Sequence, residues 1–566
     1  MSRPSRSTGS SRLLYSRYLL LVSGLGGLLY GIDVGIIAAA LLYLDRTIHL
    51  SLQQTSAIVA AVLAGGVVSS LAGGLLADLF GRRRMMILSG LCFLASIGII
   101  VLSQSFLPLL LGRLLQGMSG GILGVVIPLY LAETLSAETR GRGTAIFQFM
   151  LTLGIVVAAF TGLFFTRQAE AAITAAHGNS LLIQQAANHA WRGMFASVLL
   201  PGILFTVGSL FLSESPRWLA LRGRHAEARA ALLRSVPPQE AELELAAMQP
   251  SLAVPQPAQT LPGTGHAAAP AATLRQETLL QRKYVLPFLL ACSVLVLNQT
   301  TGINSILAYL VVILRQAGLS ANHAAQGDVV VKLLNCLITL LAIWLVDRKG
   351  RRFLLIIGTT GVTVALALGG LVFLHAENQM RDITAAVQQQ VHHGSLQLSA
   401  AHWQASGSHS TQVLTLLYAL DGKEQIATLR SSDPPLVLAS AQLLTIRRAR
   451  IGPLPAPATG WLITIALSLF IASFAIGPGV VVWLMLSELM PTRIRAIGMG
   501  IALLLNLAVS TLIADLFLPV VDHFGYSTMF FFWSACTLLY LVISLFLLPE
   551  TRGRTLEEIE RGFSQY

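Results

Sequence analysis

One carboxylate, that of Asp33, interrupts an otherwise apolar stretch at residues 20–42 in which glycine is frequent. An ionised carboxylate at the centre of a membrane helix costs about 2.5–3.5 kcal/mol on insertion scales. Such residues face the protein interior and mark ion or proton pathways. Asp33 is therefore the first candidate for a group that binds and releases a proton inside a membrane.

Acidic and basic residues recur at fixed spacing in the two halves of the chain, which indicates an internal structural repeat. The repeated patterns are Asp78-x-x-Gly81-Arg82-Arg83 with Asp347-x-x-Gly350-Arg351-Arg352, Glu133-x6-Arg140 with Glu488-x6-Arg495, and, more loosely, Glu214-Ser-Pro-Arg217 with Glu550-Thr-Arg552. The acids can pair with nearby arginines in one conformation and release them in another. We call this predicted set the latch, and it comprises Asp78, Arg82, Arg83, Glu133, Arg140, Glu214, Arg217, Asp347, Arg351, Glu488 and Arg495. The alternative is that the arginines only set the orientation in the membrane, which requires neither an acid partner nor a fixed spacing.

Membrane helices must position these residues. The chain has 566 residues, 54% of them hydrophobic and 11% charged, whereas soluble domains have about 25% charged residues. A helix needs about 20 apolar residues to cross a bilayer. Twelve stretches qualify, at residues 18–44, 55–77, 85–104, 108–133, 143–165, 192–212, 284–314, 328–346, 353–374, 460–487, 496–520 and 526–548. The sequence therefore predicts an all-α polytopic membrane protein with 12 transmembrane helices.

The net charge of +12 comes largely from arginines in short loops beside these stretches. Their distribution follows the positive-inside rule and predicts that both termini are cytoplasmic, in the cell's inner membrane. Binding to nucleic acid is not expected, because basic and aromatic residues do not interleave. The four cysteines, Cys92, Cys292, Cys336 and Cys536, all lie in apolar stretches, and we expect buried thiols rather than a disulfide or a metal site.

A polar segment at residues 213–283 divides the chain into an N-terminal half, 1–212, and a C-terminal half, 284–566, with six helices each. We expect this linker to be cytoplasmic, helical near 226–233 and loose at 250–272. Comparing the repeat spacings places an insertion at residues 375–459, on the opposite face, and a polar loop at 166–191. The insertion is expected to be a small helical or partly ordered cap. Its histidines match no recognised metal-ligand spacing.

Seven motifs occur in order along nearly the whole chain: Gly74-x3-Asp78-x2-Gly81-Arg82-Arg83, Gly112-Arg113, Pro128-x-Tyr130-x2-Glu133-x6-Arg140-Gly141, Glu214-Ser-Pro-Arg217-Trp218-Leu219, Asn298-Gln299-x2-Gly302-Ile303-Asn304, Gly477-Pro478-x4-Trp483-x4-Glu488 and Pro549-Glu550-Thr551-x-Gly553. With them the chain resembles the sugar porter family of the major facilitator superfamily, which includes bacterial xylose–proton symporters and animal glucose facilitators. The resemblance implies two six-helix bundles that open alternately to either side, with the substrate near the middle of the membrane.

The resemblance also implies a sugar site built from neutral polar side chains, since amides can both donate and accept hydrogen bonds. Trp483 would lie under the sugar and cover its apolar face, and Gly302 would let the seventh helix bend. The implied substrate-binding residues are Gln148, Asn298, Gln299, Asn304, Asn335, Trp483 and Asn506. The alternative is that the amides join helices to one another. Leu507 and Ile155 replace polar or aromatic residues of relatives, so the kind of sugar stays open.

For proton coupling, the resemblance pairs Asp33 with Arg113, and glucose facilitators have asparagine at the position of Asp33. Separation of the two charges as the cavity alternates would let Asp33 take up and release a proton. The alternative is a static buried ion pair, which would be costly without an evident gain.

Lys332 has no counterpart that the resemblance explains. Asp328 lies four residues before it, so an i,i+4 ion pair near the outer end of the eighth helix is expected. The alternative is that Lys332 faces the cavity and selects an acidic substrate.

The sequence thus predicts a proton-coupled symporter for a hexose, a pentose or a cyclic polyol that works by alternating access. An uncoupled facilitator or a sugar sensor is the alternative. We expect no enzyme activity, no cofactor, a sugar and protons as partners, and a monomer in the bilayer. A primary pump is excluded because the chain has no GxxxxGK[ST] loop.

Overall fold

A computed structural model describes residues 6–44, 46–48, 50–135, 137–248, 282–391, 395–398, 412–420, 423–430, 436–439, 444–453, 455–490 and 494–552. Within these ranges, 12 helical spans are long and apolar enough to cross a membrane. Each predicted stretch overlaps one of them, so the predicted all-α membrane fold with 12 spans is confirmed.

The N-terminal half contains six spans, and the sixth is divided into two helices. The helices are α1 (Arg6–Leu44), α2 (Leu52–Phe80), α3 (Arg82–Leu102), α4 (Phe106–Thr134), α5 (Ala137–Ala175), α6 (Ser180–Ala196) and α7 (Leu199–Leu210). Helix α1 packs along α5, and α4 packs on α2 and α3. At the α1–α5 crossing, a Cβ atom on Gly31 would lie 1.9 Å from the Leu151 carbonyl oxygen. Glycine thus permits a close crossing beside Asp33.

The expected polar loop at 166–191 is instead mostly helical. Helix α5 continues to Ala175, and α6 begins at Ser180 after an Asn179 cap whose side chain accepts from the backbone N–H of Leu181 at 3.1 Å. Contacts to the first span hold the extension: the Tyr43 hydroxyl donates to Glu170 Oε1 at 3.0 Å. The loop prediction was wrong because polarity marks where a helix leaves the membrane, and a helix can continue past that point.

The linker that follows the sixth span contains three short helices packed on the N-terminal half. They are α8 (Pro216–Leu221), α9 (His225–Ser235) and α10 (Pro238–Met248). The indole N–H of Trp218 donates to the carbonyl oxygen of Asp78 at 2.8 Å, and the Ser235 hydroxyl donates to that of Thr134 at 3.1 Å. The helix expected near 226–233 is confirmed, whereas residues 250–272 lie outside the described part of the chain. We call this face of the protein the linker side.

The C-terminal half begins with three spans: α11 (Arg282–Thr300) followed by α12 (Ile303–Gln316), then α13 (Ala321–Lys349) and α14 (Arg351–Asn378). The insertion follows, and its described elements are β1 (Arg381–Asp382), α15 (Thr384–Gln388), β2 (Ser395–Leu398), β3 (Gln412–Leu420), β4 (Lys423–Arg430), β5 (Leu436–Ala439) and β6 (Leu444–Pro453). The last spans are α16 (Pro457–Ile476) with α17 (Pro478–Leu489), then α18 (Arg495–Phe524) and α19 (Tyr526–Phe546). We call the face that carries the insertion the insertion side; it lies opposite the linker because an odd number of spans separates the two.

The described part of the insertion is mainly β-structure, so the expectation of a helical cap was wrong. Antiparallel strands form a four-stranded sheet in the order β1-β6-β3-β4 and a separate β2-β5 pair. Leu414, Leu416 and Ile451 are among the buried residues between them. Leucine favours helices, and the apolar run of β3 has no clear two-residue alternation, so the sequence pattern does not distinguish a buried strand from a helix. Arg448 ties the sheet to the membrane part by donating to the carbonyl oxygens of Asp522 and His523, each at 2.8 Å.

Among the described residues, the two halves pack mainly through three pairs of helices: α1 with α12, α2 with α18, and α5 with α13. These are the contacts that must change if the halves move relative to each other.

Candidate functional site

Asp33 and Arg113 form an ion pair in the interior of the N-terminal half. The Arg113 Nη1 atom lies 3.3 Å from Asp33 Oδ1, and the two side chains are 2% and 1% exposed. The other carboxylate oxygen, Oδ2, has no hydrogen-bond partner among the described residues. The pairing suggested by the resemblance is thus present in the geometry. The unpartnered oxygen can accept a proton, and the 3.3 Å contact with Arg113 can then break, with little rearrangement of the surroundings.

Gln116 completes this site and was not anticipated from the sequence. It is fully buried, and its Oε1 accepts a hydrogen bond of 2.6 Å from Arg113 Nη1. The ring of Phe195 lies 5.6 Å from the guanidinium carbon. Gln116 is three residues after Arg113 on α4, so the helical spacing was the signal that could have identified it. The amide gives Arg113 a neutral acceptor that stays available when Asp33 is neutral.

The seventh span is broken between α11 and α12, as the glycine in its motif suggested. Gly302 has φ +80°, in the left-handed region. A Cβ atom there would lie 2.4 Å from Cδ2 of Trp533. Only glycine satisfies both the backbone angle and the close contact. The break therefore ends α11 at Thr300 and starts α12 at Ile303.

Three of the predicted amides meet at this break. Asn304 Nδ2 donates to Gln299 Oε1 at 2.9 Å, and Gln299 Nε2 donates to Asn506 Oδ1 at 3.2 Å. Asn304 also donates to the Ser510 hydroxyl at 2.7 Å, and Asn506 Nδ2 donates to the Leu295 carbonyl oxygen at 2.9 Å. We call Gln299, Asn304, Asn506 and Ser510 the amide cluster. Ser510 was missed, although it lies one helical turn after Asn506.

The other predicted sugar-site residues lie outside the amide cluster. Asn298 is buried, and its Oδ1 has no partner among the described residues. Gln148 and Asn335 are half-buried on α5 and α13, near the point where the Thr152 hydroxyl contacts Cys336 Sγ at 3.6 Å between the halves. Trp483 is 45% exposed on α17, just past the helix break at Gly477. The structure therefore brings three of the seven together.

On the linker side, three acidic latch residues of the N-terminal half, Asp78, Glu133 and Glu214, bind Arg82. Its guanidinium contacts Glu133 Oε2 and Asp78 Oδ1 at 2.9 and 2.8 Å. Glu133 Oε2 also accepts from the Ser215 hydroxyl at 2.5 Å. Glu214 Oε1 accepts from the backbone N–H groups of Arg82 and Arg83 at 2.8 and 3.0 Å, which caps the start of α3. The first N–H groups of α3 have no acceptor within the helix, and the negatively charged Glu214 carboxylate supplies one.

The C-terminal half repeats the arrangement. Arg351 Nη2 lies 3.4 Å from Glu488 Oε1. Glu550, the looser counterpart of Glu214, accepts from the backbone N–H groups of Arg351 and Arg352 at 3.0 and 3.2 Å. The side chains of two latch residues earlier in the chain form no ion pair with the described residues. Arg83 donates to the Leu210 carbonyl oxygen, and Arg217 is exposed on α8. The side chains of Arg140, Asp347 and Arg495 lie outside the described part of the structure.

Lys332 forms the expected i,i+4 ion pair with Asp328, in the half of α13 nearer the insertion side, and both side chains are buried. The Lys332 Nζ–Asp328 Oδ2 distance is 2.8 Å, and the side chains are 0% and 2% exposed. Lys332 Nζ also donates to the carbonyl oxygen of Gly35 at 3.0 Å. Gly35 is on α1, so this contact joins the two halves.

Comparison with known proteins agrees with this architecture. A family model described as "Sugar (and other) transporter" matches residues 19–388 and 437–563. The glucose transporter GlcP of Staphylococcus epidermidis is 28% identical over 551 residues, which cover 96% of this chain and 97% of that protein. Probable inositol transporter 2 of Arabidopsis thaliana is 28% identical, over 97% of this chain and 91% of its own length.

Among solved structures, the inward-open conformation of the xylose transporter XylE from E. coli matches with a TM-score of 0.67 at 20% identity, covering 96% of this chain and 98% of that one. This likeness shows the major facilitator fold. With a family model that covers most of its length, the chain belongs to the sugar transporter family: it is a membrane transport protein and not an enzyme.

Proposed function

We propose that this sugar transporter couples the uptake of a neutral monosaccharide or cyclic polyol to the uptake of a proton, by alternating access. The observation that carries the proposal is the Asp33 carboxylate, which is buried beside Arg113 and has one oxygen without a hydrogen-bond partner in the described part of the chain. A permanently charged, incompletely paired carboxylate at this depth would be costly. A carboxylate that is neutral for part of the cycle would not carry that cost throughout.

Protonation of Asp33 removes the attraction between α1 and α4. Arg113 then keeps Gln116 as its acceptor, at 2.6 Å, and α1 is free to shift. Helix α1 also touches the other half through α12 and through the Gly35 carbonyl oxygen. A change at Asp33 can therefore reach the interface between the halves along a single rigid helix.

The amide cluster supplies the sugar site in this proposal. Its donors and acceptors are paired with one another, so sugar hydroxyls would replace existing hydrogen bonds instead of filling unpaired groups. Such an exchange favours a neutral polyol over a charged solute, because the cluster contains no ionisable side chain. We propose that Gln148, Asn298, Asn335 and Trp483 join the site when the halves close around the substrate. The names of the relatives make glucose, xylose and myo-inositol the first solutes to test.

Residues 1–212 and 284–566 are proposed as the two moving bundles, with 213–283 as the cytoplasmic linker and 375–459 as the extracytoplasmic insertion. Both termini would then be cytoplasmic in the cell's inner membrane, and the monomer would suffice for transport. The latch residues hold each bundle together on the linker side, because the ion pairs described for them lie within one half. Their proposed role is to make each half move as one body.

The test is solute accumulation in proteoliposomes. A gradient of about one pH unit, acidic outside, supplies about 1.4 kcal/mol, which is enough for about tenfold accumulation at one proton per solute. We expect wild-type protein to accumulate D-glucose, D-xylose or myo-inositol above the external concentration. The Asp33→Asn variant keeps the size of the side chain and should equilibrate the same solute without accumulating it. Equal accumulation by both variants would contradict the role of Asp33, and equilibration without accumulation by wild-type protein would indicate an uncoupled facilitator.

A further inference from the structure

Two charged side chains are buried where the halves meet, and the coupling scheme assigns no role to their charges. Lys332 and Asp328 lie one turn apart on α13 with 0% and 2% of their side chains exposed. Lys332 Nζ reaches across the interface to the carbonyl oxygen of Gly35 at 3.0 Å. The position is nearer the insertion side, because Lys332 follows the start of α13 by three turns and Gly35 follows Asp33 on α1 toward the same face.

Apolar side chains surround this contact on the neighbouring helix pair. Ala159 and Leu163 of α5 form a small buried cluster with Ala325 and Val329 of α13. In this conformation the cluster helps to keep the ion pair away from water. The second carboxylate oxygen, Asp328 Oδ1, is buried without a hydrogen-bond partner among the described residues. In this conformation the interface thus leaves one oxygen of the pair without a hydrogen bond from the described residues.

Separation of the halves would change the solvation of the pair without breaking it. The ion pair is internal to α13, so both charges would move together. The hydrogen bond from Lys332 to Gly35 would break, and water would then hydrate Lys332 Nζ and the free Asp328 oxygen. Removal of a buried ion pair from water is costly, and its replacement by apolar residues often stabilises the closed packing.

We infer that Lys332 and Asp328 are positioning residues of the transport cycle that keep the insertion-side interface able to open. The pair is dry and joined to Gly35 when this side is closed, and it is hydrated when this side is open. Its charge therefore limits the stability of the closed interface. This inference rests on the alternating access proposed above, and it is independent of proton coupling.

The test measures the opening of each side by pulsed electron–electron spin resonance in nanodiscs. The full-length protein is prepared with its four native cysteines replaced by alanine, and its transport of D-glucose, D-xylose or myo-inositol is checked before labelling. Spin labels at Arg46→Cys and Gln316→Cys, both exposed, report the insertion side. In a second sample, labels at the exposed positions Leu221→Cys and Lys349→Cys report the linker side.

On the insertion side, we expect the single substitutions to increase the population with a long distance between the labels, and the double substitution to decrease it. Lys332→Met and Asp328→Asn each leave one buried charge unpaired, so the population with an open insertion side should increase. Lys332→Met/Asp328→Leu removes both charges, so that population should fall by about tenfold or more. The matched control is Arg224→Met/Glu227→Leu, which removes an exposed ion pair on the linker and should change neither distance.

If the population with an open insertion side increases in the double variant as well as in the single variants, the inference is overturned. The ion pair would then only stabilise the closed interface. Unchanged distances in all three variants would overturn it too. Wild-type protein is measured with and without each of the three solutes. If neither pair of labels responds to any of them, alternating access itself is contradicted, and this inference falls with it.

Discussion

The substitution Gly302→Ala tests whether the break in the seventh span builds the amide cluster. Alanine at φ +80° carries a backbone cost of about 1–2 kcal/mol. Its Cβ atom would also lie 2.4 Å from two ring atoms of Trp533, and overpacking of this kind typically costs about 1–3 kcal/mol. Together these effects should lower the free energy of unfolding by about 2–5 kcal/mol. The shift should also separate Asn304 from Gln299 and weaken solute binding.

The assay is thermal unfolding in detergent, together with binding of the transported solute by calorimetry. The matched control is Gly500→Ala on α18, where a Cβ atom meets nothing within 4 Å. It should leave Tm unchanged or raise it slightly, because alanine favours the helix. Adding Trp533→Leu to Gly302→Ala should restore part of the lost Tm by relieving the overlap. If Gly302→Ala alone has the same Tm and the same solute affinity as wild-type protein, the reasoning is refuted.

Three further predictions concern charged groups outside the amide cluster. Glu214→Ala removes three backbone hydrogen bonds to Oε1 and should cost about 3 kcal/mol of stability. Glu550→Ala removes four and should cost at least as much; a smaller loss for Glu550→Ala than for Glu214→Ala in thermal unfolding would contradict the repeat. Arg82→Met leaves Glu133 buried and unpaired and should cost about 3–5 kcal/mol, whereas the double variant Arg82→Met/Glu133→Leu should recover most of the lost Tm. In the insertion, hydrogen bonds from the Thr384 hydroxyl and N–H lower the pKa of Asp382. The stability that these bonds provide is present at neutral pH and disappears as the pH falls through the lowered pKa, so Thr384→Val should lose less Tm on acidification than wild-type protein does.

The spans could be predicted because the bilayer admits few alternatives. A chain segment in hydrocarbon must satisfy its own backbone hydrogen bonds, so about 20 apolar residues predict a helix. The same rule does not apply outside the membrane. There, the Leu-rich strand β3 and the helical continuation of α5 both differed from what the sequence indicated.

The site could be predicted in part. Asp33 was evident because a carboxylate stands out among apolar residues, and Gly302 because a glycine separates two amides. Gln116 and Ser510 lie one turn from predicted residues and could have been found by helical spacing. The contact of Lys332 with Gly35 could not, because its acceptor is a backbone carbonyl group, which any residue carries.

The central claim, that a proton enters with each solute molecule, is tested most directly by proton flux. Vesicles are loaded with a pH-sensitive dye, no gradient is imposed, and D-glucose, D-xylose or myo-inositol is added outside while uptake of the labelled solute is followed in parallel. We expect the lumen to acidify as the solute enters, by about one proton per molecule because one carboxylate is involved, and we expect Asp33→Asn to admit solute without acidification. Solute uptake by wild-type vesicles with no change in luminal pH would contradict the account.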